Sequence, residues 1–211
     1  MTKQWKPLTD PQGAAILPFF NLKRKRKYEL PHRRTGLIVD IILWLLHTGC
    51  QWRNLSPDWP HWQLVYYYFD QWKGDGTFEQ INAMLNQMDR QRARREACPF
   101  VLYIDSQNIK LHPLIWQDRG FDRHKCINGR KRPLIVDTQG RIWLVGVHAA
   151  QQDDGPAAMA SVGDLLWRIG ERLEKVYGDQ VTMAFLLGHY PNGVSILSGP
   201  HVPKRLRVLF L

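Results

Sequence analysis

A run of five apolar or aromatic residues, Phe100 to Ile104, constrains the fold of this chain more than any other segment. The run is too short for a typical helix and is rich in β-branched and aromatic residues, so it predicts a buried β-strand. Asp105 follows the run directly. A carboxylate at the end of a buried strand lies at the rim of a sheet, where α/β folds place their chemistry. The alternative is that Asp105 only begins a turn.

The residues after Asp105 predict an α/β order. A long polar and cationic loop is followed by three elements, which are a hairpin of residues 133–136 and 141–148, an amphipathic helix of residues 162–173 and a short strand at residues 176–177. The last strand leads to Asp179. Because a helix between two strands permits a parallel crossover, we expect Asp105 and Asp179 at the ends of neighbouring strands.

The first 97 residues show helical spacing instead. Apolar residues recur every three or four positions in three segments, which are residues 33–48, 62–72 and 77–88. Thr77 and Gln80 have the spacing of a capping box at the start of the third segment. The aromatic residues of the second segment could stack on bases, but their spacing is more typical of a core. The sequence therefore predicts an α+β protein, with a helical N-terminal domain at residues 1–97 of the kind that often docks DNA.

The charge balance favours a polyanionic partner. The chain has 29 Lys and Arg against 19 Asp and Glu, a net charge of +10. This charge makes nucleic acid the first candidate, although a basic ribosome-associated or membrane-surface protein would look similar. Five consecutive cations are candidates for phosphate contacts, with a solvated loop as the alternative. They are Lys23, Arg24, Lys25, Arg26 and Lys27.

The sequence predicts a cytoplasmic protein without a membrane partner. The three cysteines form no CxxC pair, which indicates reduced thiols. The N-terminal residues lack the apolar core of a signal peptide. The longest apolar run, Leu37 to Leu46, is interrupted by Asp40 and is about half of the roughly 20 residues that a membrane span requires.

Two carboxylates held close together repel each other, and a divalent cation removes that cost. Hard oxygen ligands suit Mg²⁺ or Mn²⁺, which also bind phosphates. A basic protein with paired strand-end aspartates, here Asp105 and Asp179, is therefore a candidate for phosphoryl transfer on DNA.

Two groups of motifs resemble bacterial insertion-sequence transposases of the DDE type. The N-terminal group contains LTDPQGAAILPFF (residues 8–20), TGCQWR (48–53) and VYYYF (65–69). The C-terminal group contains IDSQ (104–107), GRKR (129–132), VDTQG (136–140) and VHAA (147–150).

This resemblance implies an RNase H-like fold and a Mg²⁺-dependent (or Mn²⁺-dependent) attack on DNA, with cleavage and strand transfer at the terminal inverted repeats of the element. By the same resemblance, Asp105 is the first catalytic and metal-binding acid and Asp179 is the second. Arg130, Lys131 and Arg132 would hold DNA phosphates, with a solvated loop as the alternative.

The resemblance stops after Gln180, and residues 181–211 contain no Asp or Glu. We therefore expect a partial RNase H-like domain at residues 98–180 and an out-of-frame tail at residues 181–211. Without a third acid, the chain is expected to be catalytically defective. Glu171 and Glu174 precede Asp179 and are expected to be solvated rather than substitute ligands.

Three functions remain open at this stage. The first is a transposase that is now inactive. The second is a DNA-binding inhibitor or regulator of an intact transposase. The third is an unrelated basic RNA-binding protein, which would prefer single strands and show no preference for terminal repeats.

Overall fold

The structure is a computed structural model that describes residues 5–21, 32–123, 125–152, 165, 169, 172–178 and 195–198. The chain divides into two compact units, Met1–Asn82 and Ala83–Leu211. Four α-helices, one short 3₁₀ helix and seven strands lie in the described parts, so the predicted α+β class holds.

The N-terminal unit is built from helices. Their bounds are α1 Asp10–Asn21, α2 His32–Thr48, a short 3₁₀ helix Trp52–Asn54, α3 Trp62–Gly74 and the beginning of α4 Thr77–Arg92. These helices confirm the helical spacing of the first 97 residues. Pro18 lies within α1, although a proline inside a helix often ends or kinks it.

Helix α2 buries one stripe of its surface. Ile38, Ile41 and Ile42 are buried, whereas Leu37 and Leu46 at the margins of the predicted stripe are exposed. The helix ends where the sequence predicts, because Gly49 has a φ of 68° and donates its N–H to Leu45 O over 2.8 Å. This left-handed conformation costs glycine little, since it has no Cβ.

An aromatic cluster forms the centre of the N-terminal unit. Trp72 on α3 is almost fully buried. Its ring contacts Phe20 of α1 at 4.4 Å between centroids and Phe78 of α4 at 6.4 Å. The predicted core residue Tyr66 is exposed and its ring contacts Trp52 at 5.2 Å. The helical period therefore places Trp72 correctly, but Tyr66 lies at the edge of the buried face.

The start of α4 differs from the predicted capping box. The carboxylate of Asp75 accepts hydrogen bonds from the backbone N–H of Thr77 over 3.0 Å and from its hydroxyl over 2.5 Å. A short acidic side chain before a helix satisfies an N–H that has no partner within the helix. Asp75 therefore caps the start of α4, whereas the sequence predicts that Thr77 and Gln80 do so.

The second unit contains a mixed sheet. Its strands are β1 Val101–Lys110, β2 Gly120–Asp122, β3 Ile127–Asp137, β4 Ile142–Val145, β5 His148–Ala149, β6 Lys175–Gly178 and β7 Ser195–Ser198. The main strand order is β2-β3-β1-β6-β7, and β4 and β5 also pair with β3. β1 is antiparallel to β3 and parallel to β6. The parallel neighbour that the sequence predicts for the first strand is therefore present.

Strand β1 is longer than predicted. Pairing with β3 continues from Leu102 opposite Asp137 to Lys110 opposite Gly129. The strand extends beyond its apolar run because its backbone continues to pair with β3. Polar side chains can occupy a strand where one face of the sheet is exposed to water. Asp105 thus lies in the middle of a strand, and its predicted position at the strand end is wrong.

A hydrophobic cluster covers one face of the sheet. Leu102 and Ile104 of β1 are buried with residues of β3, β4, β6 and the segment before β6, namely Ile135, Trp143, Leu165, Ile169, Leu173 and Val176. Leu165 and Ile169 are helical and four residues apart, so they present one helix face to the sheet, as the amphipathic pattern at 162–173 predicts.

The second half of α4 packs within the sheet unit. Asn86 donates to Ile142 O over 2.6 Å, and Arg90 forms a buried ion pair with Asp137. The sequence places a domain boundary after residue 97, and that boundary stays a prediction.

Part of the proposed tail is ordered into the sheet, because Ser195–Ser198 pairs in parallel with Lys175–Gly178. The other residues of 181–211 lie outside the described part of the chain, and the out-of-frame origin of the tail stays a prediction. None of the described helices is both long and apolar enough to cross a membrane.

Candidate functional site

Asp105 projects from the sheet face opposite to that of Leu102 and Ile104. Successive residues of a strand point to opposite faces, and its neighbour Ile104 is buried in the core. The Asp105 side chain is exposed, and its Oδ1 accepts a hydrogen bond from Ser106 N over 2.8 Å. The carboxylate is therefore held in place by its own backbone while it remains open to solvent.

Arg130 and Arg132 lie on the same face as Asp105. Arg132 is opposite Gln107 and Arg130 is opposite Ile109 across the antiparallel pair, and directly opposed residues share a face. The Arg132 guanidinium donates to Gln107 Oε1. The Nε atoms of both arginines are buried and have no hydrogen-bond partner among the described residues. This face thus combines one exposed carboxylate with two partly buried guanidinium groups.

Lys131 takes the opposite orientation. It is opposite Asn108 on β1 and is buried. Its Nζ lies 3.7 Å from Asp122 Oδ2 and donates to Gln152 O over 3.0 Å. Since a buried ammonium group needs such partners, the structure gives Lys131 a structural role. The three consecutive cations that the sequence treats as one cluster are therefore divided between the two faces of β3.

Asp122 organises the turn between β2 and β3. Its carboxylate accepts from Asn108 Nδ2 over 2.6 Å and from Lys125 N over 3.0 Å, besides its ion pair with Lys131. Sequence reasoning missed this buried acid, because it lies in a segment whose composition predicts a loop. The local signal is weak, and consists of the alternation of Gly120, Phe121 and Asp122 before the turn.

A second buried acid, Asp137, closes β3. Its Oδ2 lies 2.7 Å from Arg90 Nη1, and its Oδ1 accepts from the backbone N–H groups of Gln139 and Arg141. The predicted hairpin turn is confirmed, since Gly140 N donates to Asp137 O over 3.0 Å. The sequence assigns Asp137 to a turn and gives no sign of its ion pair.

Strand β6, which precedes the second proposed acid Asp179 in the sequence, pairs with β1, which carries Asp105. Tyr103 is the register partner of Tyr177, and their rings stack at 5.3 Å between centroids. In the sequence, Asp105 is two residues after Tyr103 and Asp179 is two residues after Tyr177. Asp179 itself lies outside the described residues, and so do Lys23, Arg24, Lys25, Arg26 and Lys27.

Within the described part of the chain, no three His, Cys, Asp or Glu side chains come together as a metal-binding group. Asp105 supplies one exposed hard oxygen donor of the kind that Mg²⁺ accepts. Glu174 is exposed and precedes β6, as expected of a solvated residue.

A family model matches part of the first unit. Residues 8–82 match the family model described as "Putative transposase of IS4/5 family (DUF4096)". No curated protein matches the chain. Among solved structures, the chain is similar to piggyBac transposase, in a cryo-EM structure of its synaptic complex with hairpin DNA, at 13% identity and a TM-score of 0.37. That similarity covers 93% of this chain and 50% of the other, so this chain spans about half the length of that transposase.

Proposed function

We propose that this chain is an insertion-sequence transposase by descent, which binds the terminal inverted repeats of its element. The observation that carries the proposal is the parallel pairing of β1, which bears Asp105, with β6, which leads directly into Asp179. The family match over residues 8–82 supports the same interpretation from the other unit. In this proposal the helical unit is a DNA-binding domain and the sheet is an incomplete RNase H-like domain.

The strand order supports the RNase H-like assignment. β1 is central, with antiparallel strands on the side of β3 and two successive parallel strands, β6 and β7, on the other side. An RNase H-like sheet is expected to have such a division. The carboxylate of Asp105 is exposed on the sheet face opposite to that of Ile104, where a DNA backbone has access.

In the proposed site, Asp105 and Asp179 would hold Mg²⁺ or Mn²⁺. Bound there, such an ion would activate an attacking oxygen and neutralise charge on the phosphodiester. Arg130 and Arg132 contribute positive charge on the same face and position the DNA backbone. Lys131 is left out of this contact, because its ammonium group is engaged with Asp122.

We further propose that the 211-residue chain binds DNA without cutting or joining it. Residues 181–211 contain no carboxylate side chain to complete a third ligand position. A shift of reading frame after Gln180 accounts for this tail. Restoring one base before the codon of Val181 should then open a frame that reads Gly-Tyr-Asn-Gly after Gln180 and later encodes a glutamate. The nucleotide sequence tests this directly, and a frame without that glutamate would contradict it.

The alternative function is a DNA-binding inhibitor or regulator of an intact transposase. It needs the same DNA contact and no catalysis, so occupation of element ends is the property to measure. We expect the chain to shift a duplex of the terminal inverted repeat in a gel assay, to leave that duplex uncut in Mg²⁺, and to lower cleavage by an active transposase of the same element. Equal binding to a scrambled duplex, or preference for single-stranded RNA, would contradict both transposase-derived functions.

The two arginines beside Asp105 provide a test of the DNA-binding face. Each lost phosphate contact should reduce the slope of log affinity against log salt by about 0.9, roughly an eightfold loss at 0.1 M salt. For Arg130→Gln with Arg132→Gln, we therefore expect a slope reduced by about 2 and affinity about 60-fold weaker. Titration of the repeat duplex at several salt concentrations measures both values.

The matched control is Arg92→Gln, which removes an exposed cation at the end of α4. This change should alter the salt slope by much less than the paired substitution. If the control weakens binding as much per charge, the contact depends on net charge alone and the proposed face is wrong.

A further inference from the structure

The connection between β1 and β2 presents an apolar tip to solvent. Leu114 and Trp116 are 76% and 78% exposed, and Ile115 between them is also exposed. An exposed indole adds a large apolar area to the surface. Contiguous exposed apolar patches on a protein surface commonly mark a binding site.

The tip is held in a defined shape by its own hydrogen bonds. Ile115 N donates to His112 O over 3.0 Å, and Arg119 N donates to Trp116 O over 3.3 Å. The Arg119 guanidinium donates to Pro113 O over 2.8 Å and lies 5.9 Å from the centre of the Trp116 ring. Trp116 is thus displayed on an ordered turn.

Arg130 ties this turn to the face that bears Asp105. Its Nη2 donates to Gln117 O over 2.6 Å, while its backbone pairs with Ile109 in β1. The apolar tip is therefore fixed beside the same strands that carry the proposed DNA-binding arginines.

The positive charge around the tip favours a nucleic acid as its partner. Residues 110–132 contain seven Lys and Arg but only two acids, Asp118 and Asp122, and Asp122 is buried against Lys131. Exposed aromatics among cations are the combination that stacks on nucleic acid bases. A second copy of the chain is a weaker fit, because three side chains fall far short of the roughly 800 Å² per partner of a stable interface.

We propose that Trp116, supported by Leu114, stacks on unpaired bases of the DNA that the sheet face binds. This inference rests on the proposed DNA-binding function and adds a base contact to its backbone contacts. Stacking requires an exposed base, so the contact should favour DNA with unpaired or frayed bases over a continuous duplex.

The test compares Trp116→Ala with Trp116→Phe in the full chain, on two DNA ligands. One is the fully paired repeat duplex and the other is the same duplex with two unpaired bases at its end, one of them 2-aminopurine. We expect Trp116→Ala to weaken binding of the unpaired ligand about 5- to 150-fold, the range that base–aromatic stacking gives. Binding of the paired duplex should change by less than about threefold, and the aminopurine fluorescence that the wild type quenches should recover. Trp116→Phe should retain most of the quenching.

The outcomes separate this inference from the proposed function. If the wild-type chain binds neither ligand, the proposed function and the inference both fail. If it binds both and Trp116→Ala changes neither affinity nor fluorescence, the inference alone fails. Equal weakening on both ligands would also overturn the inference. So would a concentration-dependent dimer of the wild type that Trp116→Ala fails to form, because the tip would then bind a second copy of the chain. Because the side chain is exposed, unchanged circular dichroism is expected and shows that the variants are folded.

Discussion

Replacing Asp137 by alanine should destabilise the sheet unit by about 3–5 kcal/mol, because a buried cation then loses its carboxylate partner. Asp137 is 0% exposed and Arg90 is 3% exposed, and their atoms Oδ2 and Nη1 are 2.7 Å apart. The same carboxylate accepts two backbone N–H groups of the hairpin. Amide hydrogen exchange of peptides from β1 and β3 measures the change in opening free energy.

The matched control is Asp89→Ala. Asp89 is the other carboxylate partner of Arg141, at 2.5 Å, but its side chain is 62% exposed. Exposed ion pairs contribute about 0–1 kcal/mol, so this variant should stay close to the wild type. Equal effects of the two substitutions would show that burial of the Arg90–Asp137 pair does not govern stability.

Asp137→Ala should also affect DNA binding, because Asp137 is the last residue of β3. β3 also carries Arg130 and Arg132, so loss of order in β3 removes the proposed backbone contacts. We expect the variant to lose its salt-dependent binding of the repeat duplex together with the exchange protection of β3.

Replacing Trp72 by alanine should destabilise the N-terminal unit by about 3–5 kcal/mol, the usual cost of truncating a buried indole. The side chain is 2% exposed and packs between Phe20, Tyr68 and Phe78. The cavity left behind cannot be filled by rotation of these rings without loss of their own contacts. Amide exchange of peptides from α1 and α3 provides the measurement.

Tyr67→Ala is the control for that substitution. The substitution lies on the same helix and also removes an aromatic ring, but Tyr67 is 45% exposed, whereas Trp72 is buried. We expect a change below about 1 kcal/mol. An equally large loss in the control would attribute the effect to helix α3 as a whole rather than to the packing of Trp72.

Local sequence patterns are enough to predict the helices and the pairing of the buried strands. In α2 and in the apolar run before Asp105, the spacing of apolar residues along the sequence shows which side chains are buried. That spacing is about 3.6 residues in the helix and continuous in the strand. The helix predicted at residues 162–173 favours a parallel crossover, and the parallel pairing of β1 with β6 agrees with that expectation.

The length of β1 and the division of the cationic cluster are not predictable in the same way. Residues 106–110 are polar, and they join the strand only because β3 pairs with them. Once β3 is known to begin at Ile127, alternation alone puts Arg130 and Arg132 on one face and Lys131 on the other.

The buried ion pairs have no local signal. Arg90 and Asp137 are 47 positions apart, and each occurs in a segment whose composition predicts solvent exposure. Only the folded arrangement makes their burial favourable, since each charge requires the other.

We propose that Asp105 and Asp179 face each other across two parallel strands and together bind one divalent ion. Anomalous diffraction from crystals of the chain grown with Mn²⁺ tests it most directly. We expect a manganese peak within about 2.0–2.3 Å of one oxygen from each carboxylate, as hard cations require. A peak bound elsewhere, or an Asp179 side chain on the core side of the sheet, would contradict the account.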